Sequence, residues 1–378
     1  MSTPIRILQV LGGLEAGGAE TFVMNLYRTT NREKVQFDFV KHVESNGIFE
    51  DEITKLGGRI YRCPKYNGKN YFAYCKWWND FFKEHPEYHV IHGHVRSTAS
   101  IYLKIAKKYG LITIAHSHNT SNGKGLSGVG KDMMQLPIRY IADYLFACSD
   151  KAGIWLYGEK ATMQSNYRMI PNGVNLERFA FDEAKRTKMR KQLGINEYEF
   201  VIGHIGRFTE QKNHKYLLEI FSIYHKKDPA SKLLMLGDGE LREAIETQCR
   251  DLNIFDSVKM LGVHSDIENY YQVMDVFVFP SLWEGLPVTL VEAQANGLPC
   301  LVSDVITQNV ALTGLIQYIP LGETKKWEQS ILESKSIGRG VLSEDDQKGL
   351  NAFDIREVSR KIQKFYIEQD FNVLSGVS

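Results

Sequence analysis

Short apolar runs alternate along the chain with longer stretches whose apolar residues recur at helical spacing. The early runs are Ile5–Leu11, Val35–Val40, Val90–His92, Leu111–Ala115 and Tyr144–Cys148. The later ones are Phe200–Ile205, Lys232–Leu236, Val258–Leu261, Val276–Phe279 and Pro299–Val302. Runs that are apolar on both alternating faces predict strands covered on both sides of a parallel sheet. Between them, Ala19–Arg28, Ala99–Tyr109, His214–Lys226, Leu241–Leu252 and Val288–Asn296 predict helices. Such alternation implies βαβ units and doubly wound sheets. The series pauses near Pro171-Asn172-Gly173 and restarts after a polar helix-like stretch, Asp182–Leu193. The expected domains are therefore residues 1–170 and 171–354, with a last helical segment, 355–378. No internal repeat or low-complexity segment interrupts this order.

Length and composition fit two globular domains. The 378 residues are 43% hydrophobic and 24% charged, which leaves no room for a collagen or disordered reading. The net charge of +1 comes from 46 basic and 45 acidic residues, so a protein that coats nucleic acid is not expected. The charge is unevenly distributed. Residues 1–170 hold 22 basic and 15 acidic side chains, and residues 171–378 hold 24 and 30. Cys63, Cys75, Cys148, Cys249 and Cys300 are odd in number and show no CxxC spacing, which fits a reducing cytoplasm rather than a disulfide or zinc framework. Ile5–Leu11 contains Arg6 and Gln9 and ends at Gly12-Gly13, so it does not read as a signal peptide. No apolar stretch approaches the roughly 20 residues of a membrane-spanning helix, so membrane contact is expected to be peripheral.

Four segments carry candidate chemistry. Gly12-Gly13-Leu14-Glu15-Ala16-Gly17-Gly18-Ala19-Glu20 joins a strand to a helix. Glycines there let a phosphate approach the backbone, and the helix start supplies N–H donors. The dinucleotide pattern GxGxxG does not fit in register, which disfavours an NAD-dependent oxidoreductase. Gly206-Arg207-Phe208-Thr209-Glu210-Gln211-Lys212-Asn213 also follows a strand and places Arg207 and Lys212 in one loop, where a fork and a point charge can hold phosphate oxygens. In Pro280-Ser281-Leu282-Trp283-Glu284-Gly285-Leu286-Pro287-Val288, Gly285 turns the chain into a helix that Pro287 is suited to begin. Glu284 and Glu292 lie eight residues apart, about 80° beyond two helical turns, so both are expected to line one cleft and hold hydroxyls. Finally, His116-Ser117-His118-Asn119 is expected after the strand Leu111–Ala115, with His92 and His94 after its neighbour. The HxH spacing raises zinc, but no third ligand is evident from the sequence. His at a strand end can instead bond a ligand hydroxyl or transfer a proton. His92 and His94 read as structural, and His118 as functional.

Together these segments resemble the retaining nucleotide-sugar glycosyltransferases of family 4, which have the GT-B fold, with the look of bacterial capsular and exopolysaccharide enzymes. The resemblance is strongest from Gly203 to Asp304. It includes "GRFTEQKN", "LGDGE" at Leu236–Glu240, and "VFVFPSLWEGLPVTLVEAQANGLPCLVSD", with the E-x7-E pair Glu284 and Glu292. "GGAE" at Gly17–Glu20 and "PNGVN" at Pro171–Asn175 also match.

The resemblance implies two Rossmann-like, doubly wound parallel-sheet domains facing across a cleft, the first for the acceptor and the second for the donor. The last helix would cross back to the first domain. A hexose or N-acetylhexosamine would move from a nucleotide diphosphate sugar, with uridine the favoured base, to a glycan or lipid-linked acceptor. Arg207 and Lys212 would hold the diphosphate, with Gly17 and Gly18 approaching it from the other domain. Glu284 and the backbone of Gly285, Leu286, Pro287 and Val288 would hold the sugar and distal phosphate. Glu292 would bind ribose, and Gly262 would lie by the base. His118 best matches the family's active-site histidine, with His116 as the alternate and Asn119 also on the acceptor side. No cofactor or metal is expected, and the chain contains no DxD motif. Front-face attack, in which the acceptor hydroxyl passes its proton to the leaving phosphate, needs no protein nucleophile.

One departure stands out. After Asp304 the family continues with a Gly-rich turn and an acidic pair, where this chain has Val305-Ile306-Thr307-Gln308-Asn309-Val310, so contacts from that loop to the sugar are not carried over. Two further readings remain open, a nucleotide-sugar epimerase of the same fold and a non-catalytic nucleotide-sugar-binding subunit. The basic first half suggests contact with an anionic membrane, on the inner face of the cell membrane, through Lys104, Lys107, Lys108, Lys124, Lys131 and Arg139.

Overall fold

The computed structural model describes residues 3–15, 17–118 and 134–376. Asn119, Lys124 and Lys131 lie outside the described residues. The chain divides into two compact units, Met1–Gly173 with Ile355–Ser378, and Val174–Asp354. The last helix, Ile355–Ser375, thus belongs to the first unit.

The first unit is built on a seven-stranded sheet: β1 (Ile5–Leu11), β2 (Val35–Lys41), β3 (Ile60–Arg62), β4 (Val90–Gly93), β5 (Ile112–Ser117), β6 (Tyr144–Ala147) and β7 (Tyr167–Met169). Its order is β3-β2-β1-β4-β5-β6-β7, and every pairing is parallel. β1 therefore lies between β2 and β4, and the direction of winding reverses beside it. In open α/β sheets ligands bind at such a reversal, beyond the carboxyl ends of the strands. The edge strands β3 and β7 have three residues each, too few to show a period. One helix absent from the expected pattern, Tyr71–Glu84, buries Tyr74, Trp78, Phe81 and Phe82 on one face. That spacing is helical, but the polar and aromatic residues between them mask it. The last helix buries Ile355, Val358, Ile362, Phe365 and Tyr366 against a cluster that includes Phe22, Phe37 and Phe146.

One expected boundary is corrected. The strand placed at Leu111–Ala115 runs from Ile112 to Ser117 and pairs His116 with Phe146 and Ser117 with Ala147. His116 is a strand residue, 1% exposed, and only His118 stands beyond the strand end.

The second unit holds β8 (Val201–Ile205), β9 (Lys232–Leu236), β10 (Val258–Met260), β11 (Val276–Phe279), β12 (Cys300–Ser303) and β13 (Ile316–Ile319). The order β10-β9-β8-β11-β12-β13 reverses at β8. The polar helix Glu183–Leu193 is stopped at both ends as its sequence suggests. The Asp182 side chain accepts from Lys185 N–H at its start, and Gly194 closes it in the left-handed conformation, φ 63°. Arg190 and Arg186 of that helix both bond the Asp275 carboxylate at 2.6 Å, which ties the helix to the strand β11 that Asp275 precedes.

Candidate active site

In the second unit the loops after β8 and β11, neighbouring strands at the reversal, interlock. Leu282 N–H donates to the Gln211 carbonyl at 2.9 Å. The Gln211 side chain donates to the Trp283 carbonyl at 2.8 Å and to Glu284 Oε2 at 3.1 Å. Asn213, left-handed at φ 55°, opens the helix His214–Lys227 and donates to the Pro280 carbonyl at 3.1 Å. These contacts carry Lys212 Nζ to 2.7 Å from Glu284 Oε1 and to 4.8 Å from the centre of the Phe279 ring. A Cβ at Gly206 would lie 3.0 Å from Lys212 Cδ and 3.1 Å from His204 Nε2. Glycine there leaves room for the lysine stem to fold back.

Arg207 and Lys212 do not form the pair of open cations that the sequence suggests. Lys212 is held by Glu284, whereas Arg207 is exposed and stands 4.0 Å from Glu240. Arg207 instead lines a cavity of about 380 Å³ with Gly206, Gly237, Asp238, Gly262 and His264. Gly262 has φ +78°, which glycine adopts without strain, and its carbonyl accepts from Gly237 N–H at 2.8 Å.

The helix after β11 begins at Val288, with Pro287 at its cap. Residues 284–287 are not helical, so helical rotation does not relate Glu284 to Glu292, and the expectation of one shared helical face is corrected. Glu284 sits in the interlocked loops. Glu292 is 9% exposed and accepts from the Tyr271 hydroxyl at 2.8 Å. Burial pushes its carboxyl up to about 7, partly offset by Tyr271 and the Arg178 charge. The first-turn N–H groups at Val288 and Thr289 have no acceptor within the helix. Gly285 beside them would admit a Cβ with no atom within 4 Å, and Leu286 packs on the core.

In the first unit, a cavity of about 480 Å³ opens where β1, β4 and β5 end. Gly12, Gly17, Gly18 and Glu20 line one side, and His94, Arg96, His118 and Asn172 line another. Gly17 caps the helix Gly18–Thr29. A Cβ on Gly17 would meet the Glu20 carboxylate, and one on Gly18 would meet nothing within 4 Å. Burial pushes the Glu20 carboxyl up, partly offset by the backbone N–H groups of Glu20 and Gly13, so a carboxyl supplied by the chain already sits at the glycine loop.

His118 reaches this cavity, and His116, buried in β5, is not among the cavity's lining residues. The two rings stack at 4.1 Å. Burial, with Arg96 nearby, pushes His118 down to about 3, so it is neutral at physiological pH. His94, expected to be purely structural, also lines the cavity and lies 2.8 Å from His118 Nε2. His92, His94 and His116 have ring nitrogens within 4.8 Å of one another, a cluster the sequence conceals because it forms across two strands. Gln9 of β1 and Tyr366 of the last helix complete the network. The only sequence signal for Gln9 was a polar residue in an apolar run.

Comparison with known proteins gives this geometry its family. Residues 16–178 match the family described as Glycosyltransferase Family 4, and residues 185–312 match Glycosyl transferases group 1. EpsF of Bacillus subtilis (strain 168), a protein named as a glycosyltransferase, is 37% identical over 346 residues, covering 89% of this chain and 90% of that protein. The chain is a family 4 glycosyltransferase. An Escherichia coli UDP-Gal:alpha-D-GlcNAc-diphosphoundecaprenol alpha-1,3-galactosyltransferase is 28% identical over 303 residues, covering 76% of this chain and 77% of that protein. The crystal structure of a glycosyltransferase from Rickettsia africae ESF-5 has a TM-score of 0.79 at 18% identity, covering 97% of this chain and 99% of that one. Anabaena HepE in complex with UDP and glucose has a TM-score of 0.75 at 17% identity, covering 96% and 99%. The fold of this glycosyltransferase is GT-B.

Proposed function

We propose that this glycosyltransferase moves a hexose or N-acetylhexosamine from a UDP-sugar to a glycan or lipid-linked acceptor in polysaccharide biosynthesis, with retention and without a metal. The observation that carries the reading is the Lys212–Glu284 pair at the strand reversal, beside the start of the helix Val288–Ala295. Charge that develops on a departing diphosphate is met there by Lys212, Arg207 and the helix-start N–H groups that have no acceptor within the helix. Glu284 and the Gly285–Val288 backbone hold the sugar and distal phosphate. Glu292 binds ribose hydroxyls, and Gly262 lies by the base. In the first unit, Gly17 and Gly18 offer backbone donors to the diphosphate, and His118 offers a neutral imidazole to a hydroxyl. The acceptor hydroxyl forms the new glycosidic bond as the sugar–phosphate bond breaks, and its proton leaves on the phosphate oxygen.

The relatives support the substrate class. The E. coli protein is named for UDP-galactose and a diphosphoundecaprenol-linked acceptor. A Staphylococcus aureus protein named for capsular polysaccharide biosynthesis, CapM, is 37% identical over 155 residues, covering 40% of this chain and 38% of that protein. A lipid-linked acceptor fits peripheral contact between the basic first unit and an anionic membrane. No helix among the described residues is long and apolar enough to cross one.

The test is mass spectrometry and proton NMR of products after incubation with a panel of UDP- and GDP-sugars and a lipid-linked saccharide. Sugar transfer with retained anomeric configuration supports the proposal. Epimerised nucleotide sugar without an acceptor, or binding without turnover, overturns it in favour of an epimerase or a non-catalytic subunit.

A further inference from the structure

The buried polar groups of the first unit form one continuous hydrogen-bonded chain from the cavity to the last helix. Gln9, 1% exposed in β1, is its midpoint. Its Oε1 lies 3.0 Å from His94 Nε2, and its Nε2 lies 3.2 Å from the Tyr366 hydroxyl. A carbonyl oxygen only accepts, so His94 Nε2 carries the hydrogen. His94 is buried, which pushes its imidazole well down and keeps it neutral, so its Nδ1 is bare and accepts from His118 Nε2 at 2.8 Å. The hydrogen of His118 is thereby fixed on Nε2. Its Nδ1 is left bare: it is buried and, among the described residues, makes no hydrogen bond, with the Asn172 side chain lying beside the ring.

The other arm follows with the same logic. Tyr366 receives the Gln9 amide hydrogen and gives its own to His92 Nδ1 at 2.5 Å. His92 Nε2 then donates to His116 Nδ1 at 3.1 Å, and the chain ends on His116 Nε2, which has no partner among the described residues. One amide orientation thus sets the hydrogen on all four imidazoles.

We propose that Gln9 and Tyr366 are positioning residues that hold His118 in its Nε2–H tautomer, so that Nδ1 accepts a hydrogen bond from a substrate hydroxyl in the cavity. Only the identity of that hydroxyl, a sugar's, rests on the glycosyltransferase reading. The C-terminal helix, through Tyr366, becomes part of the site rather than a brace alone. The histidine cluster serves this chain and not a metal. His92 and His116 lie nearly parallel, 6° between planes, with their facing nitrogens at hydrogen-bond distance.

Long-range proton–nitrogen spectra of protein labelled with ¹⁵N-histidine read the tautomer directly, with the His118 signals assigned by their loss in His118→Asn. The expected result is hydrogen on Nε2 and an unprotonated Nδ1 in the unsubstituted protein. Tyr366→Phe keeps the ring that packs edge-on against Phe37 at 5.9 Å and removes only the oxygen that links the two arms. In that variant His118 is expected to become a tautomer mixture, and kcat/KM to fall about tenfold, the effect of one lost hydrogen bond. Gln9→Leu is expected to do the same. Hydrogen on Nδ1 in the unsubstituted protein overturns the proposal, as does an unchanged His118 tautomer in both variants. Stoichiometric zinc in the purified protein also overturns it, since the metal would take the lone pairs the chain uses. If no sugar transfer is found, the functional reading fails while the spectra still decide the hydrogen-bond chain. Transfer with a mixed tautomer sinks the chain alone.

Discussion

Lys212 and Glu284 meet at 2.7 Å across two interlocked loops, with side chains only 15% and 9% exposed. The cation proposed to hold the donor diphosphate is thus paired with the carboxylate proposed to hold its sugar. Removing either member leaves the other poorly solvated and unpaired. Lys212→Ala is expected to cut donor turnover at least about tenfold, from charge-assisted contacts worth about 1.5–3 kcal/mol. The loss of stability is expected to be smaller in a Glu284→Gln background, a coupling of roughly 0.5–3 kcal/mol in a double-mutant cycle by denaturant unfolding. Strict additivity would show that the pair does not act as one unit.

Gly18 separates binding from folding. It is the first residue of its helix, and a methyl group there meets nothing in the protein. Gly18→Ala is expected to leave Tm unchanged or raise it, since alanine favours helix by up to about 1 kcal/mol. KM for the donor is expected to rise, because the methyl group stands where a phosphate would approach. A fall in Tm, or unchanged donor kinetics, would count against the role given to this loop.

Glu292 gives a pH signature. Its folded-state carboxyl is raised from 4.5 to about 7, so the native state binds the proton more tightly than the unfolded chain. Its contribution to stability is therefore fullest below about pH 4.5 and declines as pH rises towards 7. Glu292→Gln removes this decline and can still accept from Tyr271. The variant is expected to gain stability relative to the parent between pH 5 and pH 8, on the order of 3 kcal/mol. Chemical denaturation at both pH values measures this, and equal differences at the two would exclude a raised carboxyl.

Activity is expected to persist in excess EDTA. Lys212, Arg207 and the helix start supply the positive charge that a divalent ion would otherwise bring. Complete loss, restored by Mg²⁺ or Mn²⁺, would overturn metal independence.

The membrane proposal is tested by flotation with anionic and neutral liposomes, with preference for the anionic ones expected. Lys104 and Lys108 are exposed, whereas Lys107 is bonded to Asp143 at 2.6 Å and Arg139 is half-buried. Lys104→Glu with Lys108→Glu is therefore expected to weaken association more than Lys107→Glu does. No lipid preference in the parent protein would remove the idea.

Much of this molecule was legible before its coordinates. The apolar runs located the long inner strands to within a residue or two, because a strand covered on both faces must be apolar at successive positions. The edge strands β3 and β7 were missed, since three residues carry too little pattern. The helix Tyr71–Glu84 was missed because aromatic residues crowd more than its buried face. The glycine loop, "GRFTEQKN" and the E-x7-E segment stood out in the sequence because a turn proposed to bind phosphate needs particular residues at fixed spacing.

The sequence alone determined the two doubly wound sheets and singled out the loops proposed to carry the chemistry, since those follow from local periodicity and turn residues. Tertiary structure decided which charges are free. Only the adjacency of β8 and β11 shows Lys212 paired with Glu284 and Arg207 left exposed. Only burial beside Tyr271 raises Glu292. His116 and His118 are two residues apart, yet one is locked in a strand and the other lines a cavity. The network that joins them runs through Gln9 and Tyr366, which are 357 residues apart. Hydrogen-bond partners and desolvation depend on what other parts of the chain bring into contact, and no local pattern records that.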